Sequence, residues 1–208
     1  MKLIGNFLSP FSRRVAISLN VLNISYEIEN ILAFDNAEKI QPYNPLVRVP
    51  TLILDDGEVL IESYAILDYL DETVVEKKRL IPKNGPGRRR VMKDTAIGVG
   101  SMDRAQWAAY EYRHRPQEKV HEPWVQHNDA KALAGLHFLD GLAAFAGTTG
   151  WLSGSKDITQ SDITAVVAYS FIEKFRPNLS LAENVPSLSA FAQRCESMPH
   201  FLAAPVPS

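Results

Sequence analysis

The sequence predicts a small α/β module followed by an all-helical domain, and three observations carry that prediction. Short apolar runs flank a single helical segment at the start of the chain. Two further runs are joined by Asp56-Gly57. Beyond a polar stretch, apolar residues recur only at helical spacing.

Residues 2–8 read as a strand, and Ser9-Pro10 follows as helix cap and first helical residue before Phe11, Val15, Leu19 and Leu22. Residues 25–30 alternate, with Tyr26 and Ile28 on one face and Glu27 and Glu29 on the other, as in a half-exposed strand. Residues 51–54 and 59–61 form a hairpin around Asp56-Gly57, which signals a type I′ turn. Ser63 is then available to cap a helix whose Ile66, Leu70 and Val74 recur every four residues. The order is βαβ, an irregular or helical stretch, then ββα.

Between residues 76 and 90 stand Lys77-Lys78-Arg79, Pro82, Asn84-Gly85-Pro86-Gly87 and Arg88-Arg89-Arg90, with no apolar face to bury. The expected division is therefore a module over residues 1–76, a linker over 77–88 and a helical domain over 89–208. Residues 92–113 and 125–145 are long helix candidates. Thr159 and Asp162 make a variant capping box ahead of the apolar run 163–175. A last helix over 187–197 is expected to stop at Pro199.

Composition excludes several functions. A net charge of −2 over 208 residues lacks the positive excess that binding nucleic acid requires. No stretch approaches the roughly 20 apolar residues that span a bilayer, and residues 1–8 are too short for a signal peptide, so a soluble, cytoplasmic protein is expected. Cys195 is the sole cysteine, which leaves no intrachain disulfide, no cysteine zinc cluster and no dithiol chemistry. His121-Glu122 and His127 are too widely spaced for a zinc motif, so no metal site is predicted.

Three constellations remain. Ser9 and Ser12 lie at a helix start, where unpaired N–H groups and a partial positive charge favour an anion such as a thiolate; Arg13 and Arg14 add charge there. Val49-Pro50 enters an inner strand; a cis bond would turn the Val49 backbone outward to pair with an extended peptide. Glu62-Ser63 opens another helix, where an N–H and a hydroxyl can serve one carboxylate. Each also has a plainer reading: Ser9 and Ser63 as simple caps, both arginines as surface, Pro50 as an ordinary trans proline.

Ser-Pro-x-Ser-Arg-Arg-Val after the first strand resembles the soluble glutathione S-transferase superfamily. So do Asn-Pro-x-x-Arg-Val-Pro-Thr-Leu, the stretch from Asp55-Asp56-Gly57 through Glu62-Ser63-Tyr64-Ala65-Ile66, and Ile158-Thr159-x-Ser161-Asp162. The resemblance implies a thioredoxin-like first module and a serine-type, bacterial-like mechanism. Ser9 would donate to the glutathione sulfur, with Ser12 as rival. The Val49 backbone would pair with the cysteinyl part and Pro50 would be the family's cis-proline, Glu62 and Ser63 would hold the γ-glutamyl end, Arg48 would meet the glycyl carboxylate, and Phe11 would lie alongside. The electrophile would rest on Met102, Arg104, Gln106, Trp107 and Tyr110.

Val47 stands where the family often has glycine, and no tyrosine ends the first strand. The resemblance further implies glutathione as cosubstrate with no tightly bound cofactor, a hydrophobic electrophile as partner, a homodimer and a detoxifying role. A protein with the same fold that binds without turnover is the alternative, as are peroxidase, isomerase, lyase and dehalogenase activities on that scaffold.

Overall fold

The computed structural model describes residues 1–34 and 36–207. They fall into two compact units, Met1–Lys83 with Ser197–Ser208, and Asn84–Glu196.

In the first unit β1 (Lys2–Gly5) leads through α1 (Pro10–Leu22) to β2 (Glu27–Asn30), and a single turn, α2 (Ala37–Ile40), precedes the hairpin β3 (Thr51–Ile53) and β4 (Val59–Ile61). Next comes α3 (Ser63–Thr73). The sheet order is β2-β1-β3-β4, with β1 parallel to β2 and antiparallel to β3. This is the mixed sheet of a thioredoxin-like module. Leu3, Ile4 and Leu52 of the sheet, Val15, Ile17 and Leu19 of α1, and Ile66 and Leu70 of α3 are fully buried, each contributing about 1.5–3 kcal/mol of hydrophobic stabilisation.

Local chemistry explains most boundaries. Ser9 is the N-cap of α1 and Pro10 its first residue, while Asn23 closes the helix in the left-handed region at φ 55°. The hairpin turn departs from expectation. The Gly57 N–H donates to the Leu54 carbonyl and Gly57 alone in the turn has positive φ, +92°, whereas type I′ requires it at both central residues. Three loop residues with glycine in the left-handed region fit a type I turn with a bulge. Ser63 is not the cap of α3. It is the first helical residue, and Glu62 occupies the cap position at φ 66°. Tyr26 is half-buried and Glu27 exposed, in step with the alternation, whereas on the edge strand β2 Ile28 is exposed and Glu29 half-buried.

The chain's last segment carries the largest departure. The helix expected over 187–197 ends at Glu196, ahead of Pro199, and Pro199 then starts a short helix, α9 in chain order (Pro199–Leu202), that packs on α1 through the fully buried Phe201. Arg13 Nε donates to the Ala204 carbonyl at 2.8 Å and Asn20 Nδ2 to the His200 carbonyl at 3.0 Å. Residues 197–207 thus belong with the first unit, whereas the sequence reading places 89–208 with the helices.

The second unit opens with α4 (Gly85–His114), so Arg88-Arg89-Arg90 lie inside its first turns and the polar linker is shorter than composition suggests. It continues through α5 (Glu122–Ala146), α6 (Gln160–Phe175), α7 (Leu181–Asn184) and α8 (Pro186–Glu196). Helix α6 is buried on nearly every side from Gln160 to Tyr169, its polar Gln160, Ser161, Asp162 and Thr164 included. Its capping box is present. The Asp162 carboxylate accepts from the Thr159 N–H and the Leu152 N–H, each at 2.8 Å, and from the Thr159 hydroxyl at 2.6 Å. Burial pushes the Asp162 carboxyl up against these hydrogen bonds.

Candidate functional site

The site grows from the end of β1. The Ser9 N–H donates to the Asn6 carbonyl at 3.0 Å, which folds the chain back and presents the half-buried Ser9 side chain at the start of α1. Its Oγ accepts from the Ser12 N–H at 3.4 Å, a long bond that leaves the hydroxyl proton free to point elsewhere. The first turn of this 13-residue helix carries no acid, so nothing there opposes a bound anion.

Ser12 is placed differently. It is fully buried, and its Oγ has no hydrogen-bond partner among the described residues. A Cβ built on Gly5 would stand 2.5 Å from that Oγ and 3.6 Å from the Val49 Cβ. Glycine at position 5 therefore allows α1 to approach the sheet, and Ser12 points into that contact.

Arg13 and Arg14 are neither surface residues nor part of an anion cradle. Arg13 is buried and bonded to Ala204, and the Arg14 guanidinium is buried 4.7 Å from the Tyr64 ring centroid. Phe11, in the first turn, is half-buried.

The loop before β3 holds the second constellation. The Val49-Pro50 bond is cis, Pro50 is buried and Val49 half-buried. Val47 and Val49 pack against the cluster of Ile4, Ile31 and Ile40. The buried Asn44 holds this loop from both ends, accepting from the Leu46 N–H at 3.0 Å and donating to the Arg48 carbonyl at 2.9 Å. The sequence reading passed over Asn44 as a positioning residue. Asn before Pro is nonetheless a recognised turn signal. Val47 sits at φ 51°, a conformation costly for a β-branched residue and suited to glycine.

The third constellation meets the second. Arg48 Nη1 lies 3.1 Å from Glu62 Oε1, both side chains about half exposed. Ser63, beside it at the start of α3, is buried. Thus Ser9, Val49, Arg48, Glu62 and Ser63 all belong to the same unit, and the Arg48–Glu62 pair joins two of their three segments. Strained backbone at Val47 and Glu62 accompanies them, as is common where ligands are gripped.

On α4 the five electrophile candidates separate. Met102 is fully buried, so it serves packing and cannot offer a contact surface; the methionine belongs to the inward face of the helix. Gln106 Nε2 donates to the Tyr110 hydroxyl at 2.6 Å, and Trp107 packs edge-on to Tyr110 with ring centroids 6.3 Å apart. Trp107 and Arg104 are exposed, and Arg104 Nη1 reaches Asn128 Oδ1 of α5 at 3.4 Å. Cys195 is buried and its thiol pushed up to about 12 by desolvation, which leaves it un-ionised at neutral pH. Among the described residues there is no cluster of three metal-ligating side chains, and no helix is long and apolar enough to cross a membrane.

Comparison with known proteins identifies the family. Residues 3–78 match the family model "Glutathione S-transferase, N-terminal domain". The chain is 31% identical over 172 residues to the maleylacetoacetate isomerase of Pseudomonas aeruginosa, covering 75% of this chain and 74% of that one. It is 27% identical over 201 residues to the GST-like protein YibF of Escherichia coli, covering 93% and 97%. The crystal structure of a glutathione transferase family member from Pseudomonas fluorescens Pf-5 with bound glutathione superposes with a TM-score of 0.88 at 28% identity, covering 100% of this chain and 99% of that one. The thioredoxin-like sheet, the helical unit that follows it and these relatives together make this chain a member of the soluble glutathione S-transferase superfamily.

Proposed function

We propose that the chain is a glutathione transferase in which Ser9 stabilises the thiolate of bound glutathione for attack on an electrophile. The observation that carries the reading is the difference between the two serines: Ser9 is accessible with its proton uncommitted, and Ser12 is buried beneath Gly5. A free thiol, with a pKa of roughly 8.5, is only a few per cent ionised at neutral pH. Lowering it by about two units takes roughly 2.7 kcal/mol. A hydroxyl hydrogen bond to sulfur together with the positive end of α1 is of that order.

The rest of the tripeptide follows from chemistry. The Val49 backbone offers one donor and one acceptor to an extended cysteinyl residue, with Pro50 fixing the turn. The Glu62 carboxylate suits the α-amine of the γ-glutamyl end, and the Ser63 N–H and hydroxyl suit its carboxylate. Arg48 suits the glycyl carboxylate, and Phe11 packs beside the sulfur. The sulfur lone pair then forms a C–S bond to the electrophilic carbon as the leaving group departs with its electron pair. The protein supplies ionisation and orientation; no group of its own is covalently modified. The superfamily also leads us to place the protein in the cytoplasm as a homodimer.

The identity to an isomerase supports a second reading on the same thiolate. Addition to a conjugated double bond, rotation and elimination would return glutathione unchanged. Titration with glutathione followed by thiol assay during turnover separates the possibilities. Binding with stoichiometric thiol loss supports transfer, binding with product but no thiol loss supports isomerisation, and absence of binding overturns both.

A further inference from the structure

We propose that the segment over residues 197–204 is a strut that sets the tilt of α1 and so aims the Ser9 hydroxyl, with Arg13 as the positioning residue that joins the two. The proposal rests on the reading of Ser9 given above and adds to it a control point almost two hundred residues away in sequence.

Hydrogen bonds form an unbroken path from this segment to the hydroxyl. Arg13 Nε donates to the Ala204 carbonyl at 2.8 Å, across 191 positions of sequence. The Arg13 N–H donates to the Ser9 carbonyl at 2.9 Å and closes the first turn of α1. Within that turn the Ser12 N–H donates to Ser9 Oγ at 3.4 Å. The side chain that takes the strut and the backbone N–H that fixes Ser9 thus belong to one residue. Arg13 is 2% exposed and Ala204 fully buried, so their bond forms out of water, where a charged donor on a carbonyl is strongest.

A second tie fixes direction as well as position. Asn20 Nδ2 donates to the His200 carbonyl at 3.0 Å. It stands seven residues beyond Arg13, about 10 Å along the helix axis at roughly 1.5 Å per residue. One bond would pin a point on α1; two bonds this far apart pin a line. The strut is itself stiff, because the N–H groups of Leu202, Ala203 and Ala204 donate to the carbonyls of Met198, Pro199 and Phe201. Phe201, between the two acceptors in sequence, is fully buried. Ser9 stands at the end of this line, whereas Val49 and Ser63 stand on other segments. A change in the tilt of α1 therefore moves the hydroxyl relative to a sulfur that those segments hold, and a hydrogen bond weakens steeply as its angle opens.

The test is absorbance titration against pH of the thiolate of bound glutathione, in the intact parent and in Phe201→Ala and Arg13→Lys, each saturated with ligand. Phe201→Ala loosens the strut without touching Ser9, Ser12 or any charge, and Arg13→Lys keeps the charge while removing the Nε donor. Phe201→Leu is the milder change should Phe201→Ala fail to fold. The thiolate-to-thiol ratio at pH 7 is expected to fall about threefold or more in the Phe201 and Arg13 variants alike. A ratio equal to the parent's in both, with only the melting temperature lowered, overturns the proposal. So does a fall confined to Arg13→Lys, because the strut then plays no part. Ser9→Ala separates the two readings: a thiolate band lost there but kept in the Phe201 and Arg13 variants sinks the strut alone, and a parent without the band at pH 7 sinks both.

Discussion

Arg48 and Glu62 face each other at 3.1 Å across two segments that are 14 residues apart in sequence, with both side chains about half exposed. A pair this exposed contributes at most about 1 kcal/mol to stability. On the reading proposed above, both side chains contact glutathione. Arg48→Ala is therefore expected to shift unfolding free energy by less than about 0.5 kcal/mol while weakening glutathione by roughly five- to tenfold. Urea unfolding and calorimetry on the same variant check the split; a large stability loss with unchanged affinity contradicts it.

The two serines give opposite outcomes. Ser9→Ala removes a helix cap, costing about 1 kcal/mol, and is expected to lower kcat/KM at pH 7 by up to roughly 25-fold, the fall in thiolate fraction if the whole shift of about two units is lost with the hydroxyl. Ser12→Ala removes a buried hydroxyl that has no partner among the described residues, so stability should hold or rise by up to about 1 kcal/mol with turnover near that of the parent. Thermal melts and steady-state kinetics of both variants decide the matter. Activity lost in Ser12→Ala and kept in Ser9→Ala reverses the assignment.

Asp162 supports the helical unit. Asp162→Ala leaves the Thr159 and Leu152 N–H groups without their acceptor in a buried setting, at a cost of about 2–4 kcal/mol. Denaturant unfolding measures it, and a loss under about 1 kcal/mol shows that the box is dispensable.

Asp94 produces a pH dependence. It is buried, its carboxylate oxygens accept no hydrogen bond among the described residues, and Lys93 stands 3.6 Å away. Desolvation pushes its carboxyl above the ordinary 3.8, with Lys93 and Arg90 pulling the other way. The folded state thus holds this proton more firmly than the unfolded chain does. The group's favourable contribution is complete below 3.8 and is lost as pH rises through the elevated folded value. Asp94→Asn should accordingly add about 1 kcal/mol at pH 7, and the gain should vanish in acid below 3.8. Urea unfolding at the two pH values reads this; a variant less stable than the parent at neutral pH contradicts it.

What the sequence revealed depended on how local the chemistry was. The cap at Ser9-Pro10, the Asp-Gly hairpin and the Thr159–Asp162 box are set within a few residues and were legible, as was the division into sheet and helices. The burial of Arg13 was not, because its partner is the carbonyl of Ala204, which a return of the chain's end to α1 delivers. Ile28 misled because period-two alternation says nothing about a strand's place in the sheet, and β2 is an edge. Met102 had the same spacing as its exposed neighbours, and only the packing of α4 separates it from Trp107. Asn44 escaped notice because its role lies in two hydrogen bonds to the backbone that follows it.

The central claim concerns the ionisation of a guest thiol beside Ser9. Ultraviolet difference absorbance of glutathione bound at pH 7 measures it directly. The parent should show the thiolate band, and Ser9→Ala, saturated with the same ligand, should show it only at more alkaline pH. Glutathione that binds the parent without any thiolate absorbance at pH 7, or a band unchanged in Ser9→Ala, would contradict the account.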